Sequence, residues 1–388
     1  MNSFVSHLEC FQCGDWFNPS RIHTYCQNCN QPLLVKYNLN EIKSALTPRA
    51  FTNRVHSLWR YGELLPLQNE ENKVTLEEGF TPLYHLKRLG NRYELPSVWV
   101  KEEGLNPTGS FKARGQTLAI SKAKELGVQE CIVPSAGNAG GAMSAYCAAA
   151  GIKATVVMPS YTPGIFVQEC KLFGAHVELI DGLIDACGAR VAEIKAETGA
   201  YDVSTLKEPY RLEGKKTMGF EIAEQFNWQL PDYIFYPTGG GTGLIGIWKA
   251  FAELMELGWI EGPLPKMVVV QAENCNPVVR TFNREPVPES FQGSMANGLA
   301  VPKAFGMDMM LKVLEESAGI AISISEEDML EGIKEISSTE GITISPEGAA
   351  VWKAMMQLVS LGEMNRDSKV LLMNTGSGYK YFENYPAE

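Results

Sequence analysis

The strongest constraint on the fold is a regular alternation of apolar, β-type runs with helical stretches that begins at Ser97. Each apolar run is followed by a glycine-containing or polar turn. Such alternation is typical of parallel strands covered by helices, and 388 residues leave room for two such sheets. The predicted strands are 98–101, 131–134, 154–158, 177–180, 234–236, 267–271 and 369–373, and the predicted helices include 111–126, 139–150 and 244–257.

Composition is that of an ordinary globular protein, with 45% hydrophobic and 20% charged residues. The net charge of -11 has the wrong sign for tracking a phosphate backbone or binding an anionic lipid surface. No apolar stretch approaches the roughly 20 residues of a membrane-spanning helix, and residues 1–7 lack the pattern of a secretory signal. We therefore expect a cytoplasmic protein that has neither nucleic acid nor a membrane as its partner.

Two CxxC pairs near the amino terminus predict a metal site. Twelve residues separate the pair Cys10 and Cys13 from the pair Cys26 and Cys29, so that two turns can present four thiolates tetrahedrally. This spacing is typical of a structural zinc ribbon, which we predict for residues 1–37. A redox-active pair or four unrelated cysteines are the alternatives. The five other cysteines stand singly, and we expect them to be inert core residues.

A lysine-bearing turn, Asn106-Pro-Thr-Gly-Ser-Phe-Lys112, follows the strand 98–101 and leads into a helix. Lys112 then lies in the first helical turn, where a cation opposes the helix dipole at a cost on the order of 0.3–1 kcal/mol. The dipole and burial would lower the pKa of Lys112 and make its neutral amine available as a nucleophile and proton carrier. An exposed, unreactive lysine is the alternative.

Two further turns place small residues in front of helices. In Ser135-Ala-Gly-Asn138 the backbone N–H groups can face an anion such as a carboxylate, and the Asn138 amide can bond a phenolic or carbonyl oxygen. The run from Gly239 to Gly243 is typical of a phosphate cradle, because glycines leave the helix amino terminus open. Its spacing matches neither a Walker loop nor the dinucleotide fingerprint, which argues against a nicotinamide-dependent dehydrogenase. Ordinary tight turns are the alternative for both.

A fourth turn, Asn374-Thr375-Gly-Ser377-Gly378, follows the strand 369–373. It places hydroxyl groups at the carboxyl edge of a strand, where open sheets bind ligands. A lysine, an amide, a glycine cradle and a hydroxyl thus all occur at strand ends. Together they predict one shared site.

With these turns in this order, the chain resembles the fold type II pyridoxal-phosphate enzymes, and most of all the threonine synthase family, over nearly its whole length. The resemblance implies that Lys112 binds the cofactor aldehyde covalently, that Asn138 bonds the ring hydroxyl and that Thr375 faces the pyridine nitrogen. The implied cofactor contacts are Lys112, Phe111, Asn138, Gly239, Gly240, Gly241, Thr242, Gly243 and Thr375. The implied substrate contacts are Ser135, Ala136, Gly137, Arg211 and Lys215.

In that family, O-phospho-L-homoserine and water give L-threonine and phosphate, by γ-elimination of phosphate and β-addition of water. A hydroxyl opposite the pyridine nitrogen leaves that nitrogen largely unprotonated, which favours elimination over transamination. None of the five histidines lies in the four turns, so proton transfer is assigned to Lys112. The resemblance also implies a structural Zn²⁺ and a homodimer.

Four positions depart from the family's pattern, and they bear on the substrate more than on the cofactor. Ala136 and Ala139 stand where threonine hydroxyls help to hold substrate, and Ser377 replaces a histidine. Glu208 replaces an asparagine before Arg211, where a carboxylate would repel a phosphate unless it were neutralised or turned away. A threonine or serine dehydratase and a phosphoserine-dependent cysteate synthase are therefore alternatives. A zinc-dependent binding or regulatory protein on a retired enzyme scaffold is the alternative outside enzymes.

The predicted architecture is α/β, of the tryptophan synthase β type, with two parallel-sheet lobes and a small amino-terminal zinc ribbon. The ribbon is predicted at residues 1–37 and the small lobe at residues 118–204. Residues 38–117 and 205–388 are predicted to form the larger, cofactor-binding lobe.

Overall fold

The computed structural model describes residues 3–385. The predicted strands are all present, and their ends differ from the prediction by no more than one residue. In chain order the strands are β1 (Val5–Cys10), β2 (Trp16–Phe17), β3 (Leu33–Tyr37), β4 (Leu83–His85), β5 (Val98–Glu102), β6 (Glu130–Pro134), β7 (Lys153–Pro159), β8 (His176–Ile180), β9 (Tyr201–Asp202), β10 (Tyr233–Pro237), β11 (Lys266–Ala272), β12 (Ile320–Ile324) and β13 (Val370–Asn374).

The helices cover the faces of the sheets. They are α1 (Leu39–Ala45), α2 (Lys87–Tyr93), α3 (Lys112–Glu125), α4 (Asn138–Ala150), α5 (Gly164–Leu172), α6 (Ile184–Thr198), α7 (Tyr210–Gln225), α8 (Thr242–Leu257), α9 (Pro277–Phe282), α10 (Met307–Glu316), α11 (Glu326–Glu340) and α12 (Pro346–Ser360). Shorter 3-10 turns lie at Pro48–Phe51, Leu58–Leu64, Glu70–Asn72, Glu103–Leu105, Pro107–Gly109 and Gly378–Asn384. Among residues 3–385, no helix is both long enough and apolar enough to cross a bilayer.

The larger sheet has six strands in the order β12-β11-β10-β13-β5-β4. Its strands run parallel except β4, which pairs antiparallel with β5. The central strands β10 and β13 are buried at every residue, as expected for a sheet with helices on both faces. Apolar side chains of α8 pack in the core on one side and those of α12 in the core on the other. The prediction of parallel strands under helices is confirmed.

A second, fully parallel sheet has the order β8-β7-β6-β9 and is formed by residues between Glu130 and Asp202. Helices α3 and α4 pack beside it through a separate apolar core that includes Met143 and Tyr146. The chain therefore contains the two sheets that its length allowed. The lobe boundaries at residues 118 and 204 stay a prediction.

The amino-terminal segment forms a small antiparallel sheet with the order β2-β1-β3. Its interior residues Leu8 and Val35 share one apolar cluster with Ala119 of α3 and Tyr210 of α7. The Tyr37 hydroxyl also donates a hydrogen bond of 2.6 Å to a carboxylate on α7. The ribbon therefore packs directly on the helix that begins beside Arg211.

Candidate active site

The lysine turn lies between β5 and α3, and Lys112 is the first residue of that helix. Thr108 in this turn has a left-handed backbone (φ 60°), a conformation that costs a non-glycine residue on the order of 1–3 kcal/mol and that occurs often at functional sites. The turn is held against the end of β13, because the Phe111 N–H donates to the Thr375 carbonyl at 3.0 Å. The turns predicted to carry the lysine and the hydroxyl are thus direct neighbours.

The pKa of Lys112 is lowered to about 7, mainly by burial and in part by the nearby Arg211 charge, while the Glu347 carboxylate acts in the opposite direction. The Lys112 ammonium nitrogen lies 4.2 Å from the centroid of the Phe111 ring. Near neutral pH a large fraction of Lys112 is therefore the neutral amine, which is the nucleophilic form.

Two buried cations accompany Lys112. Arg211 and Lys215 are one helical turn apart on α7, with 1% and 0% of their surface exposed. Within residues 3–385, neither has a carboxylate at ion-pair distance, and the Arg211 Nε and the Lys215 Nζ have no hydrogen-bond partner. Burial holds the pKa of Lys215 well below its usual range, and the charges of Arg211 and Lys112 add to this effect. Unpaired buried donors of this kind are suited to an anionic ligand.

Glu208, the residue expected to repel a phosphate, is turned onto its own helix. Its carboxylate accepts the backbone N–H of Tyr210 at 2.7 Å and that of Arg211 at 3.1 Å, at the amino terminus of α7. Burial nevertheless raises the pKa of Glu208 to about 7, against the opposing effect of the Arg211 charge. These capping bonds hold the carboxylate against the backbone at the start of α7, and its raised pKa means that it is mostly charged only above about pH 7.

The asparagine turn links β6 to α4. The Ser135 hydroxyl accepts the Gly140 N–H at 3.0 Å and donates to the Gly137 carbonyl at 2.9 Å, which closes the turn. Among residues 3–385, the backbone N–H groups of Ala136 and Asn138 have no acceptor, so they stay available to an anion. The Asn138 side chain, by contrast, is already held by Lys380 and Tyr381.

The glycine run follows β10 and ends at the start of α8. A Cβ on Gly239 would lie 2.1 Å from the Gly298 carbonyl oxygen, and one on Gly243 would lie 1.6 Å from the Tyr236 hydroxyl. Gly241 has φ 79°, which L side chains rarely adopt. In the described part of the chain, the N–H groups from residue 239 to residue 243 have no intramolecular acceptor. These orphaned donors at a helix amino terminus fit a phosphate group.

Thr375 follows β13, and its hydroxyl forms no hydrogen bond to any group within residues 3–385. The preceding Asn374 is fixed on both sides: its amide donates to Glu102 at 2.8 Å and accepts from the Ser345 hydroxyl at 2.8 Å. A Cβ on Gly376 would lie 3.6 Å from the Asn138 amide nitrogen. The turns that carry Lys112, Asn138 and Thr375 therefore lie next to one another.

The sequence reasoning missed three residues that line these turns: Glu347, Lys380 and Tyr381. Glu347 lies in the first turn of α12, where an acidic residue usually indicates only a favourable helix terminus. Lys380 and Tyr381 follow the hydroxyl turn in an aromatic, polar segment without periodicity. In the sequence, only their position just after Thr375 indicates a role at the site. That position becomes informative once the hydroxyl turn is known to pair with the lysine turn.

The four cysteines of the ribbon come together. Their sulfur atoms all lie within 4.8 Å of one another, with 3.3 Å between Cys10 and Cys29 and 3.6 Å between Cys13 and Cys26. Four thiolates in this arrangement are a donor set that suits a tetrahedral Zn²⁺ and leaves no position open for a substrate.

Comparison with known proteins identifies relatives of this chain. A family model for pyridoxal-phosphate dependent enzymes matches residues 74–376. Threonine synthase from Methanosarcina acetivorans is 35% identical over 374 residues, which cover 95% of this chain and 91% of the relative. Threonine synthase from Methanocaldococcus jannaschii is 32% identical, and the match covers 96% of this chain and 92% of that relative.

Solved structures give the same fold at lower identity. Maize serine racemase superposes with a TM-score of 0.66 and 20% identity, over 79% of this chain and 93% of the other. Threonine deaminase isoform 2 from Solanum lycopersicum gives a TM-score of 0.65 and 19% identity, over 77% of this chain and 79% of the other. The predicted fold type is confirmed. The chain belongs to the threonine synthase family of pyridoxal-phosphate-dependent enzymes.

Proposed function

We propose that this chain is a threonine synthase that converts O-phospho-L-homoserine and water to L-threonine and phosphate. The observation that carries the proposal is a pair of buried basic side chains near Lys112. The Arg211 Nε and the Lys215 Nζ have no hydrogen-bond partner in the described part of the chain, although the Arg211 Nη1 donates to the Val203 carbonyl at 2.6 Å. An unphosphorylated amino acid would leave these two buried donors unsatisfied, at a desolvation cost. A substrate with a phosphate on its side chain supplies acceptors and negative charge for both.

In this proposal, the four turns would provide the contacts for pyridoxal phosphate. Lys112 would bind its aldehyde, Phe111 lies beside that lysine, and the donors of Gly239, Gly240, Gly241, Thr242 and Gly243 would hold its phosphate. Asn138 and Thr375 would face its ring oxygen and ring nitrogen. When bound, the cofactor withdraws electrons from the substrate carbons next to the amine.

The residues of the chain then have distinct tasks. The open N–H groups of the turn formed by Ser135, Ala136 and Gly137 would hold the substrate carboxylate, while Arg211 and Lys215 would bind its phosphate. The Lys112 amine takes and returns protons at the substrate carbons, since its pKa near 7 allows both forms at neutral pH. Phosphate leaves the γ-carbon with the electron pair of its C–O bond, and water adds at the β-carbon.

We also propose a structural Zn²⁺ at Cys10, Cys13, Cys26 and Cys29, supported by the convergence of their sulfur atoms. Because its ligands lie on a ribbon packed against α7, the ion would stabilise the fold rather than take part in the reaction. A homodimer and a cytoplasmic location complete the proposal and rest on the family resemblance alone.

The test is to measure product formation from O-phospho-L-homoserine, O-phosphoserine and free L-threonine with the same enzyme preparation. We expect phosphate and threonine from the first compound and much slower turnover of the others. Fast ammonia release from threonine identifies a dehydratase, and cysteate formed from phosphoserine and sulfite identifies a cysteate synthase. Arg211→Met should raise KM for the phosphorylated substrate by roughly a hundredfold, whereas Arg190→Met, at a partly exposed arginine of α6 that pairs with Glu178, should leave it unchanged.

A further inference from the structure

A chain of hydrogen bonds crosses the site from Lys380 to Glu347. The Lys380 ammonium donates to the Asn138 Oδ1 at 3.1 Å. The Asn138 Nδ2 donates to the Tyr381 hydroxyl at 3.4 Å, and that hydroxyl donates to the Glu347 Oε1 at 2.9 Å.

Charges at both ends fix the direction of every bond in this chain. An ammonium can only donate and a carboxylate can only accept. Tyr381 has 1% of its surface exposed, and burial together with the Glu347 charge raises its pKa well above the usual range, so it stays a phenol that donates to Glu347. Its oxygen is then left to accept from the Asn138 amide nitrogen.

The Lys380 end is anchored on two other segments. The Lys380 Nζ lies 2.8 Å from both carboxylate oxygens of Glu169 on α5, and 2.8 Å from the Thr108 carbonyl in the lysine turn. Only 13% of each side chain in the Lys380–Glu169 pair is exposed, so the pair is well shielded from solvent. The ammonium is therefore held in place independently of Asn138.

An asparagine amide can face either way, because its oxygen and nitrogen ends have nearly the same shape. A ring oxygen of the cofactor needs the N–H end, since the carbonyl end would repel it. We propose that Lys380 is a positioning residue that orients the Asn138 amide by bonding its oxygen, so that its N–H₂ group faces the cofactor's ring oxygen. This inference rests on the proposed role of Asn138, and it assigns Lys380 no contact with the cofactor.

A double-mutant cycle on cofactor binding tests the inference. The dissociation constant of pyridoxal phosphate is measured by fluorescence titration of apo-protein for the wild type, Lys380→Met, Asn138→Ala and the double variant. We expect each single change to weaken binding by roughly three- to tenfold, and the double variant to bind no more weakly than Asn138→Ala. Lys380→Arg retains a cation and should bind nearly as the wild type does. Lys171→Met, on the exposed side of α5, is the matched control.

If the loss of affinity in the double variant equals the sum of the two single losses in free energy, the inference is overturned. Lys380 would then act on the cofactor without Asn138, for example through its charge. Unchanged affinity in Lys380→Met also overturns it and leaves the role of Asn138 intact. Unchanged affinity in Asn138→Ala defeats the proposed cofactor contact itself, so the two failures are distinguishable. Melting temperatures of the apo-proteins verify that the variants are folded. If Lys380→Met does not fold, the cycle is measured with Lys380→Gln.

Discussion

The side-chain nitrogens of Lys112 and Lys215 lie against one aromatic ring, at 4.2 Å and 5.0 Å from the centroid of Phe111. Two ammonium groups this close would repel each other strongly in a buried site. The protein relieves the repulsion by lowering the pKa of both groups through burial. Burial therefore favours the neutral, nucleophilic form of the Lys112 amine and limits the positive charge beside Phe111.

The pKa of Lys112 can be measured by labelling. In apo-protein pulsed with acetic anhydride and digested for mass spectrometry, we expect half-maximal labelling of Lys112 near pH 7, where burial places its pKa. Exposed lysines should need a pH near 10. Arg211→Met should shift the Lys112 midpoint upward, because removing a neighbouring cation favours the protonated form. A Lys112 midpoint indistinguishable from that of exposed lysines would contradict the buried site.

Glu208 should make anion binding depend on pH. Its carboxylate is charged above its pKa of about 7 and neutral below it, so the repulsion of a bound anion falls as the pH falls through 7. In holoenzyme, where the proposal places the cofactor on Lys112, we expect inorganic sulfate to bind more tightly at pH 6 than at pH 8, by roughly tenfold. Glu208→Gln should bind sulfate with the higher affinity at both values. A variant that keeps the full pH dependence would show that another group is responsible.

Gly239, in the glycine run, should not tolerate a side chain, because its backbone packs against Gly298. A Cβ on Gly239 would meet a backbone carbonyl at 2.1 Å, and backbone cannot move aside as a flexible side chain can. We expect Gly239→Ala to weaken pyridoxal-phosphate binding by at least roughly tenfold. Gly188→Ala, in α6 with open space around it, should leave binding unchanged. Equal affinities in the two variants would argue against a phosphate cradle in this loop.

The zinc proposal predicts one equivalent of tightly bound metal, measured by elemental analysis after purification without added zinc. Cys26→Ser removes a buried ligand and should lower Tm by roughly 5 °C or more, because metal binding is coupled to folding of the ribbon. Cys187→Ser, at a buried cysteine far along the chain, should leave the metal content at one equivalent. Metal-free protein with an unchanged Tm would exclude a structural ion.

Much of the fold could be predicted from the sequence, because long apolar strands and glycine turns are local signals. The strands β5, β6, β10 and β13 and the helix starts at Lys112, Asn138 and Thr242 follow from residues within a few positions of each. The edge strands β4 and β12 were missed, since β4 is a three-residue strand and β12 is interrupted by a serine.

The site residues were predictable only where the turn that carries them has a recognisable sequence pattern. Lys112 and the glycine run have recognisable neighbours in the sequence. Lys380, by contrast, lies at the site because the turn after β13 pairs with the lysine turn, and Glu347 because α12 begins beside Tyr381. The capping role of Glu208 was likewise hidden, because a carboxylate bonded to its own helix and one that projects into a pocket have the same sequence. Such contacts depend on tertiary structure and not on local pattern.

The covalent bond between cofactor and protein can be located by chemical trapping. Holoenzyme is reduced with borohydride and digested, and the peptides are sequenced by mass spectrometry. We expect a stable pyridoxyl adduct on Lys112, and we expect Lys112→Ala protein to carry no adduct and to have no activity. An adduct on a different lysine, or full turnover by Lys112→Ala, would contradict this expectation.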